Sequence, residues 1–300
     1  MKHSNPKNII VVETRKVRRG VIEAYSDSLS VEEPLEIKIE FGDDSNESRK
    51  TQTVAVTMRT PGNDAELAVG FLFAESIIES YDQIENISQD RCNGVTVSIK
   101  SGMQVQLENL ERHSFINSSC GVCGKKSIES VLKRGSHADF AANPAAQSAA
   151  DSFTVNASLF ATMSRSLRMM QSDFDTTGGI HASALFTANG RLIDLREDVG
   201  RHNALDKLIG SLLMRDRLPL DESILFLSGR ASFELIQKAV NAGIRIVASV
   251  GAPSSLAVEL ASKAGITLVG FVREDRFNIY CGAERIDAIR SECSQVPSAC

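Results

Sequence analysis

Two cysteines separated by two residues, Cys120 and Cys123, carry the spacing in this sequence that most directly predicts chemistry. Gly121 and Gly124 let the backbone around them turn tightly, and residues 125–134 have the composition of a helix that begins with two lysines. A helix N-terminus and neighbouring ammonium groups both stabilise a thiolate. Because the thiolate is the nucleophilic form of cysteine, the pair predicts sulfur chemistry in this loop.

Two other roles are open to the same cysteine pair. It could be half of a structural zinc site that His181 or His202 completes through the fold. It could also be a thioredoxin-type redox pair, although no strand of a βαβ unit leads directly into it. A second closely spaced pair, which would favour zinc, is missing from the sequence. The other cysteines are Cys92, Cys281, Cys293 and Cys300.

Two short turns of small residues form a second group of candidates. Each follows an apolar run and precedes a predicted helix, as do the loops at the carboxyl ends of parallel strands, where helix N–H groups accommodate phosphate. Neither is a Walker A motif or a complete G-x-G-x-x-G fingerprint, so each alone is more simply a tight βα loop. Together they predict a nucleotide-binding cleft. The residues are Ser228, Gly229, Arg230, Gly251 and Ala252.

Polar residues around two histidines form a third group. Arg196 and Arg201 could bind phosphate through their planar guanidinium groups, and His181 or His202 could move a proton or hydrogen-bond to phosphate. The alternative is a structural role, with adjacent carboxylates neutralising the arginines. Residues 271–276 follow the last predicted strand and would open into the same cleft, unless they are only a charged surface loop. The candidates are Gly179, His181, Arg201, His202, Asn203, Phe271, Val272, Arg273, Glu274, Asp275 and Arg276.

The pattern of apolar residues predicts the elements that position these groups. Asn189-Gly190 predicts a β-hairpin, and three later apolar runs alternate with helical stretches, as in βαβ crossovers. Ser101-Gly102 predicts another hairpin, and Asn63 with Glu66 resembles a helix capping box. Strands are predicted over residues 36–41, 52–58, 95–99, 103–107, 182–186, 192–195, 224–227, 244–250 and 266–271. Helices are predicted over 67–78, 159–170, 205–213, 233–240 and 254–263.

These elements predict an α/β protein in three parts. A smaller α+β domain over residues 1–134 ends near the cysteine loop, a linker or mobile loop occupies residues 135–152, and an α/β domain with a mixed sheet spans residues 153–300 and contains the predicted nucleotide-binding cleft. The Ala-rich composition of the middle segment, which shows neither helical nor strand periodicity, sets the boundary.

Composition narrows the classes of function. The 300 residues include 33 Lys and Arg against 38 Asp and Glu, and 42% are apolar, which is typical of a globular chain. The formal net charge of −5 provides no overall basic field for nucleic acid or anionic lipid, so neither is an expected partner. The N-terminal apolar run is too short for a signal sequence or membrane span, and six cysteines are too few for a disulfide scaffold. These features predict a cytoplasmic protein.

Taken together, the motifs resemble the FdhD/NarQ family of formate dehydrogenase accessory sulfurtransferases. The resemblance spans nearly the whole chain, and several motifs in a fixed order are far more specific than the cysteine pair alone. The motifs are EEPLE at 32–36, MRTPG at 58–62, SCGVCG at 119–124, GGIH at 178–181, EDVGRHN at 197–203, SGR at 228–230, GAP at 251–253 and RFN at 276–278.

The resemblance implies an enzyme, a sulfurtransferase that works through a cysteine persulfide. It would take sulfur from a cysteine desulfurase and pass it to molybdenum in bis(molybdopterin guanine dinucleotide), abbreviated bis-MGD, which formate dehydrogenase needs for activity. The resemblance favours Cys120 as the main carrier, with Cys123 relaying the sulfur or resolving the persulfide. Bis-MGD would be bound cargo in the C-terminal cleft, with residues 271–276 matching the family's cofactor-binding segment, and GDP or GMP would mimic it.

The resemblance also implies a homodimer and a C-terminal half with a cytidine deaminase-like, three-layer mixed sheet. Deamination itself is not expected, because zinc deaminases use His-x-Glu followed by Pro-Cys-x-x-Cys. Here His181 is followed by Ala182 and Ser183, and the cysteine pair precedes it. Two alternatives remain beside sulfur transfer. One is a non-catalytic chaperone of the guanine dinucleotide cofactor with structural cysteines, and the other is a zinc-dependent hydrolase.

Overall fold

The computed structural model describes residues 8–43, 49–90, 93–103, 105 and 153–288. The loop with Cys120 and Cys123 and the predicted linker over residues 135–152 lie outside these residues, as does most of the strand predicted after Ser101-Gly102. The two domain boundaries therefore remain predictions.

In chain order, the described elements are β1 (Ile9–Arg18), β2 (Val21–Ser30), β3 (Glu33–Phe41), β4 (Lys50–Arg59), α1 (Asp64–Ala74), β5 (Ile84–Gln89), β6 (Gly94–Ile99), β7 (Val155–Asn156), α2 (Leu159–Met170), α3 (Ser172–Thr177), β8 (His181–Thr187), β9 (Leu192–Asp198), α4 (Arg201–Leu213), β10 (Ser223–Leu227), α5 (Phe233–Asn241), β11 (Ile246–Ser249), α6 (Ser255–Lys263), β12 (Thr267–Gly270), β13 (Asn278–Cys281) and β14 (Ile286–Asp287). None of the helices in these ranges is long and apolar enough to span a bilayer.

The N-terminal part contains a four-stranded sheet in the order β4-β3-β6-β5. Strand β3 is antiparallel to β4 and parallel to β6, and its alternate residues Leu35, Ile37 and Ile39 are buried in a core shared with α1. The strands predicted over residues 36–41 and 52–58 are thus confirmed, but the period-two alternation of 52–58 does not mark one buried face, because Val54 is buried whereas Val56 and Met58 are exposed. The predicted capping box at α1 is wrong, because Asn63 adopts a left-handed φ of 58° and its side chain makes no capping hydrogen bond.

The C-terminal part contains a six-stranded mixed sheet in the order β9-β8-β10-β11-β12-β13. Strands β10, β11 and β12 are parallel, and β8 is antiparallel to both β9 and β10. Side chains alternate between two cores: Leu225 lies in the core shared with α4, α5 and α6, whereas Phe226 lies in the core shared with α2. Helices therefore cover both faces of the sheet, and the predicted βαβ rhythm of this half is confirmed.

Helices α1 and α4 join the two parts at a contact between glycines. A Cβ atom added to Gly70 would lie 1.9 Å from the Asp206 carbonyl oxygen, and one added to Gly210 would lie 1.9 Å from that of Glu66. The two backbones thus touch directly, and all of α4 from Asn203 onward is buried. The helix that begins among the predicted site residues is consequently fixed by the N-terminal part of the protein.

Strands β1 and β2 form a two-stranded arm over residues 9–30, which the sequence patterns did not predict. Ten residue pairs join its strands, from Ile9 with Ser30 to Arg18 with Val21. The hydroxyl groups of Ser30 and Thr177 hydrogen-bond at 2.8 Å and hold its base to α3. Because apolar side chains lie on both faces of the arm, the one-sided alternation that reveals a half-buried strand is missing.

Candidate functional site

The predicted binding residues meet at one edge of the six-stranded sheet, which we term the carboxyl edge. The parallel strands β10, β11 and β12 all end there, and antiparallel pairing of β8 with β9 places His181 opposite Asp198 at the same edge. The loops that meet there are Gly178–Ile180, Val199–Gly200, Ser228–Arg230, Val250–Pro253 and Phe271–Phe277. The structure thus brings together residues that lie up to about one hundred positions apart in the sequence.

Backbone hydrogen bonds tie these loops into one surface. Gly251 N donates to Gly229 O at 2.9 Å, and Phe271 N donates to Gly251 O at 3.1 Å. A Cβ atom on Gly251 would lie 2.9 Å from the backbone of Arg230, and one on Gly229 would lie 3.2 Å from Nδ1 of His181. Small residues are therefore required where the loops pass each other. Gly229, Gly251 and Ala252 are only partly buried, so a ligand could approach the backbone there.

Arg201 carries an open hydrogen-bonding position at the start of α4. Its Nε atom is buried and has no hydrogen-bond partner among the described residues. The preceding N-cap, Gly200, has no side chain to cap the helix, and α5 and α6 also begin at this edge after Ser232 and Ser254. Converging helix N-termini and a guanidinium group together favour an anion.

The two histidines beside Arg201 are held in the neutral form. Burial, followed by the positive charge of Arg201, lowers the pKa of His181. Burial, again followed by Arg201, lowers the pKa of His202 to about 4. Nε2 of His202 lies 3.2 Å from the Ser232 hydroxyl oxygen. Because both imidazoles are neutral, Arg201 carries the positive charge among these three residues. The ring nitrogens of the histidines can still donate or accept hydrogen bonds.

The lowered pKa of His202 predicts a pH dependence of stability. As the pH falls from about 6.5 towards 4, the unfolded chain binds a proton at this ring before the folded protein does, so stability is lost over that interval and is fully present above it. We expect His202→Gln to reduce the loss of unfolding free energy between about pH 7.5 and about pH 5, measured by urea denaturation. His181 stays in both proteins and so cancels in the comparison. Equal pH dependence in the two proteins would contradict the prediction.

The segment after β12 forms a tight turn at the rim. Phe271 adopts a left-handed φ of 53° and exposes its ring, and Arg273 N donates to Arg276 O at 2.8 Å. Nη1 of Arg273 donates to the Val250 carbonyl oxygen at 2.8 Å, which fastens this turn to the loop after β11. Val272 is buried, whereas Glu274 and Asp275 are exposed. The segment therefore presents an aromatic ring and charged groups beside Gly251.

Asn203 is placed differently from the other predicted binding residues. Its amide nitrogen donates to the Met58 carbonyl oxygen at 2.7 Å, and its amide oxygen accepts from the Thr57 hydroxyl at 3.1 Å. The same nitrogen lies 3.2 Å from Asp198 Oδ1. These bonds fasten α4 to β4, so Asn203 connects the carboxyl edge to the N-terminal sheet.

Sequence reasoning missed a buried polar cluster directly beneath the edge. Asp198, fully buried, accepts hydrogen bonds from Thr60 N at 3.1 Å and Gly200 N at 2.8 Å and lies 2.7 Å from Lys207 Nζ. Lys207 also donates to the Thr60 carbonyl oxygen at 2.7 Å. The available signal was the adjacent pair Asp206 and Lys207 among the apolar residues of α4, since charged side chains in a buried helix require partners.

Arg196 serves the fold rather than the edge. Its guanidinium group donates to both carboxylate oxygens of Glu66, at 2.6 and 2.9 Å, and also pairs with Asp194 at 2.5 Å. The interpretation of Arg196 as a phosphate ligand is therefore not supported by its contacts, whereas Arg201 keeps an unused donor.

Comparison with known proteins identifies the family of this chain and the fold that it shares. A crystal structure of a candidate formate dehydrogenase accessory protein from Desulfotalea psychrophila superposes with a TM-score of 0.69 over 93% of this chain and 99% of that one, at 24% identity, which shows the shared fold. The FdhD/NarQ family model matches residues 31–287. The chain belongs to the FdhD/NarQ family.

Curated relatives support the same assignment over almost the full length. A protein of Streptomyces coelicolor named sulfur carrier protein FdhD is 43% identical over 297 residues, covering 95% of this chain and 99% of that protein. A protein of the same name from Sulfolobus acidocaldarius is 42% identical and covers 92% of this chain and 98% of its own.

Proposed function

We propose that this protein is a sulfurtransferase that carries persulfide sulfur from a cysteine desulfurase to the molybdenum of bis-MGD and is required for formate dehydrogenase activity. The observation that carries the proposal is the buried Arg201 Nε atom at the carboxyl edge, which has no hydrogen-bond partner among the described residues, in a chain whose relatives are named sulfur carriers. The cysteine pair provides the nucleophile. A reducing compartment preserves free thiols, so we assign the transfer to the cytoplasm.

The cargo, bis-MGD, would occupy the carboxyl edge through its guanosine phosphates. Arg201 and the start of α4 would bind phosphate, the backbones of Gly229 and Gly251 would allow its close approach, and Phe271 would offer a stacking face to guanine. Neutral His181 and His202 would hydrogen-bond the cargo without adding charge. We further propose that the six-stranded sheet has the cytidine deaminase-like layout, which agrees with the antiparallel hairpin β8-β9 followed by three parallel strands.

Binding of a guanine nucleotide tests this part of the proposal. We expect Arg201→Ala to weaken GDP binding by about 10- to 100-fold, because a charge-assisted hydrogen bond of about 1.5–3 kcal/mol is lost. Arg217→Ala is the matched control, since this exposed arginine follows the opposite end of α4 and should leave affinity unchanged. Calorimetric titration with GDP and GMP gives both values. Equal affinity in wild type and Arg201→Ala would reject this assignment of the edge.

The sulfur steps require two exchanges. The Cys120 thiolate attacks the terminal sulfur of the desulfurase persulfide, so the donor's S–S bond breaks, the donor thiolate leaves, and an S–S bond forms on Cys120 with no net oxidation. In the resolving route, the Cys123 thiolate attacks the Cys120 sulfur and expels hydrosulfide towards molybdenum. That step oxidises the two thiols to a disulfide, which a cellular dithiol must reduce. In the relay route, Cys123 takes the terminal sulfur and holds it as a persulfide.

The partners of this proposal are the desulfurase, formate dehydrogenase and a second copy of the chain. Formate dehydrogenase activity in cells that lack the endogenous homologue distinguishes the proposal from a cofactor chaperone. We expect Cys120→Ala to abolish the activity that the wild-type gene restores, while the purified variant still binds GDP. Full restoration by Cys120→Ala, Cys123→Ala would reject sulfur transfer and favour a chaperone with structural cysteines.

A further inference from the structure

The arm over residues 9–30 exposes apolar side chains on both of its faces. Cross-strand partners project from the same face of a ribbon, so the register assigns each residue to one side. Seven large apolar side chains of the arm are between 41% and 66% exposed. Val11, Val17 and Ile22 lie on one face, and Ile10, Val21, Tyr25 and Leu29 lie on the other.

The arm lacks the support that a permanent ribbon needs. A two-stranded β-ribbon is marginally stable at best in water unless another surface covers it. The hydrogen bonds that hold this arm to the body involve its base, from Ser30 to Thr177 and from Asn8 to Asp173. The rest of its length, about 30 Å for ten residues per strand, carries apolar groups that nothing in the described part of the chain buries.

Charge is divided along the arm. The half near the turn, residues 15–24, has four basic residues and one acidic residue, Glu23. The half near the base, residues 9–14 and 25–30, has two acidic residues, Glu13 and Asp27, and no basic one. An arm with a positive tip and a negative base is complementary to a copy of itself that runs in the opposite direction.

We propose that the arms of two copies of this chain pack against each other antiparallel about a two-fold axis, tip against base, and form the interface of the proposed homodimer. The faces in contact are those that carry Ile10, Val21, Tyr25 and Leu29 together with Lys16, Arg18 and Asp27. In such an isologous contact, each of these apolar residues is used twice, and each basic tip meets an acidic base. An anionic membrane would attract only the basic tip of the arm. It would leave Ile10 and Leu29, which are exposed near the base, uncovered. The family model matches residues 31–287, so the arm over residues 9–30 lies outside the matched segment.

Sedimentation velocity of the full chain tests the interface. We expect wild type to be a dimer, and Val21→Ser, Leu29→Ser to raise the dimer dissociation constant by about 100-fold, since each truncation counts twice. Met169→Ser, Met170→Ser is the matched control, because these side chains are 68% and 53% exposed on α2, outside the arm, and should leave association unchanged. A monomeric wild type, or arm variants as dimeric as wild type, would overturn the proposal. So would binding of a monomeric wild type to vesicles rich in phosphatidylserine.

Charge reversal tests the antiparallel arrangement. Lys16→Glu, Arg18→Glu makes both halves of the arm acidic, and Glu13→Lys, Asp27→Lys makes both halves basic. Each variant alone should dissociate, whereas an equimolar mixture should form heterodimers. Failure of the mixture to associate would overturn the tip-to-base contact. Because Cys120 lies outside the arm, Cys120→Ala should remain dimeric and the arm variants should still accept sulfur, so failure of the sulfur proposal is distinguishable from failure of this one.

Discussion

Replacing Asp198 by asparagine should lower the free energy of unfolding by about 3–5 kcal/mol, because removal of one partner leaves a buried charge uncompensated. Lys207, which is 1% exposed, would lose the carboxylate that lies 2.7 Å from its Nζ atom. The Thr60 and Gly200 amides donate to different oxygens of Asp198, so one of them would lose its acceptor and face the asparagine NH2 group. Chemical denaturation of the full chain measures the loss.

The double variant Asp198→Asn, Lys207→Met provides the control for this prediction. Once the unpaired ammonium group is replaced by an apolar side chain of similar length, part of the lost stability should return. Because Asp198 also fixes the residues that precede Arg201, GDP binding should weaken even in variants that remain folded. Unfolding free energies of Asp198→Asn and wild type that agree within about 1 kcal/mol would contradict this role of the pair.

Replacing Gly210 by alanine should cost a net of about 1–2 kcal/mol, because overpacking at the contact of α1 with α4, typically up to about 3 kcal/mol, exceeds the helical preference of alanine, which favours the variant by about 1 kcal/mol. The new Cβ atom would lie 1.9 Å from the Glu66 carbonyl oxygen, so the two helices must separate. Since α4 is buried from Asn203 onward, that movement disturbs the packing on both of its sides.

Gly179→Ala is the control for the helix contact. A Cβ atom there finds its nearest neighbour at 3.9 Å, and Gly179 does not adopt a positive φ, so its unfolding free energy should match wild type within about 0.5 kcal/mol. Equal stability of Gly210→Ala and wild type in urea denaturation would show that the helices can separate at no cost.

The residues of the carboxyl edge could be predicted because their positions depend on local rules. Apolar runs followed by small residues identify the ends of parallel strands, and such ends meet whatever the distance between them in the sequence. The sequence alone therefore places Gly229 and Gly251 in one cleft, and the strands and helices of the C-terminal half follow the same rules.

The contacts that join the two parts could not be predicted in this way. The local sequence around Arg196 leaves phosphate binding and a structural role both open, because its partner Glu66 lies 130 residues earlier in the chain and no local pattern connects the two. The pairing of Asp198 with Thr60 and the contact of Gly70 with Gly210 are likewise set by tertiary packing. The arm escaped prediction for a different reason, since both of its faces carry apolar and charged residues.

The central claim is that Cys120 accepts a sulfur atom, and intact-mass measurement after incubation with a cysteine desulfurase and cysteine tests it most directly. We predict that wild type gains the mass of one sulfur atom, that a reductant removes it, and that Cys120→Ala gains none. A wild type that gains no reducible sulfur, or a Cys120→Ala, Cys123→Ala variant that gains as much as wild type, would contradict the account.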